Sequence, residues 1–245
     1  MKILLVDVET SPNIAYVWRM FDKFVPISNL IERGRTLCYT AKWLGSDEVI
    51  FDSIFQTHPK TFLRRVHKLL DEATAVVHYN GKRFDMPVLE AEFLLAHMPP
   101  PSPTKQVDLY QTAKRFALPS RKLDYLCTAL GLGSKVRHSG MDLWRRCLAN
   151  DPAAWQEMEQ YNRQDVVLLE ALYYTLRPWI KGHPNASIGA DSPICPHCGS
   201  THIVRKGHRN SASRRYARFN CRSCGTWFQS SVSERGISAT SRTIQ

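Results

Sequence analysis

Lys2-Ile3-Leu4-Leu5-Val6-Asp7-Val8-Glu9 decides the fold. An apolar run that meets two acids so soon is far too short for a membrane span or a secretory core, and it predicts a buried strand. Side chains alternate between the faces of a strand, so Asp7 and Glu9 project on the same side. Two like charges side by side repel unless a cation lies between them. A solvent-facing strand end satisfies the same pattern, so other residues must decide.

Working outward, 36–44 and 48–54 read as strands around the turn Gly45-Ser46-Asp47. Phe62, Val66, Leu69 and Leu70 recur at helical spacing within 59–72. A strand at 75–79, a helix at 84–97 ending at Pro99-Pro100-Pro101, and a short strand at 106–109 follow. Helical stretches at 110–116, 122–130 and 142–149 lead to a long helix over 152–176. Strands first and then alternating helices and strands predict an α/β fold, one mixed sheet flanked by helices. After Trp179 the polar, turn-rich segment 181–193 reads as a linker between a domain at 1–180 and a module at 194–229. The Ser/Thr/Arg-rich tail 230–245 lacks apolar periodicity and is expected to be disordered.

The formal net charge of +11 is unevenly spread. Residues 1–180 hold 23 Lys/Arg against 20 Asp/Glu, whereas 181–245 hold 10 against 2. A segment so basic attracts polyanions, and nucleic acid is the usual one. No stretch is long and apolar enough for a membrane span, so a cytoplasmic location with reduced cysteines and no membrane partner is expected.

Two further acidic motifs lie downstream. Tyr79-Asn80-Gly81-Lys82-Arg83-Phe84-Asp85-Met86-Pro87 passes from strand through a glycine turn into a helix, where Asp85 reads as a helix cap or a ligand. On the long helix, Tyr161 and Asp165 share a face at i and i+4, and that face continues through Leu168, Leu169 and Leu172. Arg163 has the wrong spacing to pair with Asp165. An unpaired buried carboxylate costs several kcal/mol, which favours a metal partner.

Asp7-Val8-Glu9-Thr10, then Tyr79-Asn80-Gly81 with Phe84-Asp85, then Tyr161 with Asp165, resemble in order the three motifs of the DEDD exonuclease superfamily. The second motif, with Pro87 and Leu89, is most similar to the proofreading domains of family B DNA polymerases. Gln160 stands where the histidine subgroup has its base, so Tyr161 points to the tyrosine (DEDDy) subgroup. The resemblance covers residues 1 to about 180 and implies an RNase H-like fold. It also implies a 3′–5′ exonuclease that releases nucleoside 5′-monophosphates with two Mg²⁺ or Mn²⁺ ions, a pairing suited to hard oxygen ligands. Asp7 would bridge the ions, Glu9 and Asp165 complete the first, and Asp85 support the second. Tyr161 would orient the attacking water, since a phenol of pKa near ~10 is a poor base. Asn80 and Phe84 would seat the terminal nucleotide, although Phe84 also reads as a core residue. These 245 residues carry a cysteine module and no polymerase domain, which leaves a proofreading role open. DNA is favoured over RNA as substrate. The competing readings are an exoribonuclease and a non-catalytic nucleic-acid-binding protein that keeps the fold.

Asp108, Asp124 and Asp142 each precede a helical stretch and read as caps. His138 reads as a solvated loop histidine.

Cys195-Pro-His-Cys198 and Cys221-Arg-Ser-Cys224 are two C-x-x-C knuckles separated by 22 residues, each followed by glycine. In a reduced compartment this spacing predicts a zinc ribbon with one structural Zn²⁺ on four thiolates, leaving His197 and His202 unneeded. Cys38, Cys127 and Cys147 lack such spacing and read as small apolar residues. Between the knuckles lie Arg205, Lys206, Arg209, Arg214, Arg215 and Arg218, with Tyr216 and Phe219, and Arg222 stands within the second knuckle. Such a set can hold phosphates and stack on bases. Alternatively the ribbon docks a protein.

Overall fold

The computed structural model describes residues 1–21 and 24–235. They form two compact units, Lys2–Leu172 and Tyr173–Gln245, the latter together with Met1.

The first unit runs through β1 (Ile3–Thr10), β2 (Ile14–Ala15), β3 (Leu30–Glu32), β4 (Thr36–Trp43) and β5 (Ile50–Ser53). Then come α1 (Pro59–Glu72), β6 (Ala75–His78), α2 (Asp85–Leu95), β7 (Lys105–Asp108), α3 (Leu109–Ala113), α4 (Leu123–Ala129) and α5 (Met141–Leu148). The helix α6 (Pro152–Leu176) follows, its last residues belonging to the second unit.

Five strands make one mixed sheet in the order β5-β4-β1-β6-β7, the α/β architecture the sequence predicts. The central strand β1 is antiparallel to β4 from Leu4 to Thr10, with a register shift between Glu9 and Thr10, but pairs with β6 only over Ile3–Leu5. Past Leu5, the edge of β1 on that side is therefore open.

Alternation along the strands fixes the layers. Leu4, Val6 and Val8 of β1 pack with Tyr39, Phe62, Val66, Leu89 and Phe93, which closes α1 and α2 over one face. Burying rings such as Phe62 and Phe93 stabilises this layer by about 3–5 kcal/mol each relative to alanine. On the other face, Leu37 and Cys38 pack with Leu143, Trp155, Met158 and Tyr161 of α5 and α6. The odd positions Asp7 and Glu9 share that side.

One element was not predicted. Among the described residues between β1 and β4, β2 and β3 pair as a separate two-stranded arm.

In the second unit β8 (Ile203–Asn210), β9 (Arg215–Cys221) and β10 (Trp227–Gln229) form an antiparallel sheet in the order β10-β9-β8. The β8–β9 register shifts between Arg205 and His208, where Gly207 takes φ 73°. Residues 230–235, which the sequence places in an unstructured tail, run beside β9: Ser230 N–H donates to Ala217 O and Glu234 N–H to Arg215 O, both at 2.9 Å. The rest of that tail, 236–245, lies outside the described residues.

Candidate active site

Strand β1 delivers Asp7 and Glu9, and α6 delivers Asp165. Carboxylate oxygens of the three lie within 4.8 Å of one another. Asp85 comes from the start of α2 and meets the open edge of β1. It is the first residue of α2, with Phe84 rather than Asp85 in the cap position. Its Oδ1 instead accepts the N–H of Val8 at 3.0 Å, a backbone donor that the short pairing with β6 leaves without a strand partner. The cap reading of Asp85 is thus replaced by a link that draws a fourth carboxylate toward β1.

The turn between β6 and α2 is built around His78. Its Nδ1 accepts from Gly81 N–H at 3.1 Å and its Nε2 lies 2.9 Å from Gln106 Oε1. A Cβ on Gly81 would come within 2.5 Å of the His78 ring, so only glycine fits. Asn80 takes φ 64°, and its N–H donates to Asp108 Oδ1 at 2.9 Å. Asp108 also caps α3 through Tyr110 N–H, as the sequence predicts. Phe84 is 45% exposed and is not a core residue.

Two site residues escape the sequence reading. Asn162 is fully buried; its Nδ2 donates to Asp7 Oδ2 at 2.6 Å, and its Oδ1 accepts from the Thr40 hydroxyl at 2.7 Å. Thr40 thereby orients the amide so that its NH₂ faces Asp7. Asn162 sits three residues before Asp165, a same-face spacing that could have flagged it. Lys135 carries no local signal. Its Nζ stands 2.5 Å from Asp165 Oδ2 and 3.3 Å from the Tyr161 hydroxyl. Its backbone N–H is held by Asp124 Oδ1 at 2.8 Å, so Asp124 fixes this loop rather than capping α4. Asp142 likewise makes no cap bond at α5.

The electrostatics are those of crowded, buried acids. Burial, then the charges of Asp85, Glu9 and Asp165, push Asp7 well above the usual carboxylate range. Burial, followed by Asp165, raises Glu9 to about 8, and burial raises Asp85 to about 7. Asp165 is also raised by burial, although Lys135 opposes the shift. Burial alone would lower Lys135, but the charge of Asp165 more than offsets it and holds the ammonium. Tyr161 is pushed up by burial and then by Glu9 and Asp165, so its hydroxyl keeps its proton.

One oxygen of Asp165, Oδ1, is buried with no hydrogen-bond partner. Three converging carboxylates, with the charge of Asp85 felt beside them and one orphaned buried oxygen, fit a hard divalent cation, whose charge would relieve each of these shifts. Beside Asp7 opens a groove of about 710 Å³ lined by Tyr79, Asn80, Tyr110, Arg121, Lys122 and Lys135. A second pocket of about 580 Å³ carries Lys135, Arg137, His138 and Tyr161. His138 is no solvated loop residue: its ring centroid lies 4.6 Å from Tyr161 and 5.3 Å from Trp144.

In the second unit the Sγ atoms of Cys195, Cys198, Cys221 and Cys224 lie within 4.8 Å of one another, and none forms a disulfide. Both knuckles turn alike: Gly199 and Gly225 have φ 73° and 78°, and each donates its N–H to the first cysteine's carbonyl at 2.9 Å. Thiolates so placed fit a tetrahedral zinc. His197 Nδ1 is engaged by Arg177 O at 2.9 Å, consistent with a set of four sulfurs. Among the cations of β8 and β9, Arg205 pairs with Glu234 at 2.6 Å, Arg209 donates to Gln229 at 2.8 Å and Arg218 lies over Trp227. Lys206 and Arg214 are exposed, and Arg215 donates to Asn210 at 3.2 Å.

A mixed five-stranded sheet with carboxylates on its central strand defines an RNase H-like α/β domain. The RNase_H superfamily model matches residues 36–177, more than half of the chain, and the chain belongs to that superfamily. The matched segment holds Asp85, Tyr161 and Asp165 and begins after β1. Among solved structures the chain is similar to a family B DNA polymerase from the hyperthermophilic archaeon Pyrobaculum calidifontis, with TM-score 0.50 and 18% identity. The likeness covers 72% of this chain but only 25% of the polymerase, and it speaks to the fold. No curated protein matches the sequence. Superfamily membership supports a nuclease-type function, and no helix among the described residues is long and apolar enough to cross a membrane.

Proposed function

We propose that this chain is a two-metal-ion 3′–5′ exonuclease of the DEDDy type, acting on nucleic acid and on DNA in preference to RNA. The observation that carries this reading is the convergence of Asp7, Glu9 and Asp165 around a buried, unpaired carboxylate oxygen. Asp7, Glu9 and Asp165 would hold one Mg²⁺ or Mn²⁺, and Asp7 with Asp85 a second. Bound there, such ions neutralise phosphate charge, activate water and assist the leaving oxygen.

The residues divide the remaining work. Tyr161 stays protonated and orients the attacking water as a hydrogen-bond partner. Lys135 adds a fixed positive charge beside the phosphate. The groove at Tyr79, Asn80 and Tyr110 takes the terminal nucleotide, and the exposed ring of Phe84 offers it a stacking face. Asn162 holds the Asp7 carboxylate in one orientation. Loss of an outer partner of this kind typically weakens metal affinity by about 10–100-fold. Asn162→Ala should therefore bind Mn²⁺ that much more weakly in calorimetry, and because the amide is fully buried and bonded to both Thr40 and Asp7, metal-free melting should fall as well. Unchanged affinity would reduce Asn162 to a packing residue.

The C-terminal module is read as a zinc ribbon whose single Zn²⁺ is structural, with Arg205, Lys206, Arg209, Arg214, Arg215 and Arg218 as its phosphate-facing cations. Each neutralised phosphate contributes roughly −0.7 to −0.9 to the slope of log K against log salt. A Lys206→Ala/Arg209→Ala/Arg214→Ala variant should flatten that slope by about 2 for long strands. A full slope in the variant would point instead to a docked protein.

The reading itself is tested with 5′-labelled DNA and RNA strands, in Mg²⁺, Mn²⁺ or chelator. Labelled strands should shorten stepwise from the 3′ end, release nucleoside 5′-monophosphates, proceed faster on DNA and stop in chelator. Release of the 5′ label first, or no metal-dependent cleavage of any strand, would overturn it.

A further inference from the structure

We infer that the β2–β3 arm is a stacking platform for unpaired bases of the strand that leads into the carboxylate site, an inference that rests on the nuclease reading. The arm leaves β1 two residues past Glu9 and returns directly into β4. Its base is firmly tied. Ser11 N–H donates to Arg35 O at 2.8 Å, Gly34 N–H to Asn13 Oδ1 at 2.7 Å and Tyr16 N–H to Asn29 O at 3.0 Å. A Cβ at Gly34 would meet Ser11 O at 2.6 Å, so the closure requires glycine.

Beyond that base the large side chains turn outward: Tyr16 is 75% exposed, Trp18 94%, Met20 87%, Phe21 96%, Phe24 78% and Ile27 82%. So many large apolar side chains exposed within one short segment point to an interaction site rather than to ordinary scattered exposure. Three observations select a nucleic-acid strand as its occupant. First, four of the six are aromatic and fall between Tyr16 and Phe24, and flat π faces accept any base without reading its sequence. Second, the site and the arm are continuous. Tyr161 lies against His138 and Trp144, and Trp144 Nε1 donates to Thr10 O, the residue just before the arm, at 3.0 Å. Third, residues 11–35 carry four basic side chains against two acidic ones. The Arg33–Glu92 and Arg35–Glu32 ion pairs leave both guanidiniums nearly half exposed. Exposed pairs of this sort are weak enough to yield to phosphate.

The test compares the wild type with a Trp18→Ser/Phe21→Ser/Phe24→Ser variant. One arm measures binding of a 5′-fluorescein-labelled oligothymidine, long enough to reach the arm, by anisotropy in chelator. The other measures cleavage of a thymidine dinucleotide in Mn²⁺. Because these side chains already face solvent, the variant should melt like the wild type. Its affinity for the long strand should fall at least ~10-fold, as expected for lost base stacking, while dinucleotide cleavage is unchanged. Wild-type affinity in the variant overturns the platform. So does a variant that dissociates a dimer in sedimentation but keeps its affinity, because a second copy is then the occupant. If the wild type cleaves both substrates in these cases, the nuclease reading stands. If the wild type cleaves neither, that reading fails and the platform with it.

Discussion

Asp7→Asn is expected to lower cleavage on the order of a thousandfold, because several kcal/mol of metal-borne charge stabilisation correspond to a tenfold change per ~1.4 kcal/mol. The substitution keeps the shape of the side chain and an oxygen to accept from Asn162 Nδ2, but it removes the charge shared by both proposed metal positions. Metal-free melting should stay the same or rise. The folded protein disfavours ionised Asp7, since burial and its acidic neighbours raise its pKa. An acid so raised costs stability progressively as pH climbs above the ordinary carboxylate pKa, so the gain from asparagine should widen from acidic to neutral pH. Near-normal rates in this variant would remove Asp7 from the machinery, and a sharp drop in metal-free melting would make it a structural residue.

The second large effect falls on the C-terminal unit. Cys221→Ser, or stripping by a strong chelator, should abolish hydrogen-exchange protection across β8, β9 and β10 while β1, β4 and β6 stay protected. Structural zinc contributes about 10–16 kcal/mol of apparent binding energy in modules of this size. Among the described residues the three-stranded sheet is otherwise held mainly by the Phe219–Phe228 stack at 5.4 Å, the Arg218–Trp227 contact and scattered surface pairs. Retained protection in the variant, at the wild-type zinc content, would mean that the cysteines do not hold this unit together.

Much of the candidate site was legible because local rules govern it. Alternation on β1 put Asp7 and Glu9 on one face, and the i, i+4 spacing put Tyr161 beside Asp165; each needs only one element to be read correctly. The five-stranded sheet followed from the same kind of pattern. Asp85 was harder. Its position suggested a cap, and only the early end of the β1–β6 pairing shows why Val8 needs its carboxylate. Lys135 lies 30 residues from Asp165 in a glycine-containing loop, and no periodicity connects them. Asn162 was hidden for a different reason: it sits on α6, whereas its partners Thr40 and Asp7 lie on β4 and β1, and no helical spacing connects them. The arm at 11–35 escaped because its apolar side chains are not buried, so they follow neither the strand period nor the helix period that burial imposes.

Asp7, Glu9, Asp85 and Asp165 are proposed to form a two-cation centre. This centre is tested most directly by anomalous diffraction from crystals grown with Mn²⁺ and a nucleoside 5′-monophosphate. Two manganese peaks are expected, one ligated by Asp7, Glu9 and Asp165 and a second between Asp7 and Asp85, with the nucleotide phosphate touching both. Manganese absent from these carboxylates, at concentrations that saturate its binding in solution, would contradict it.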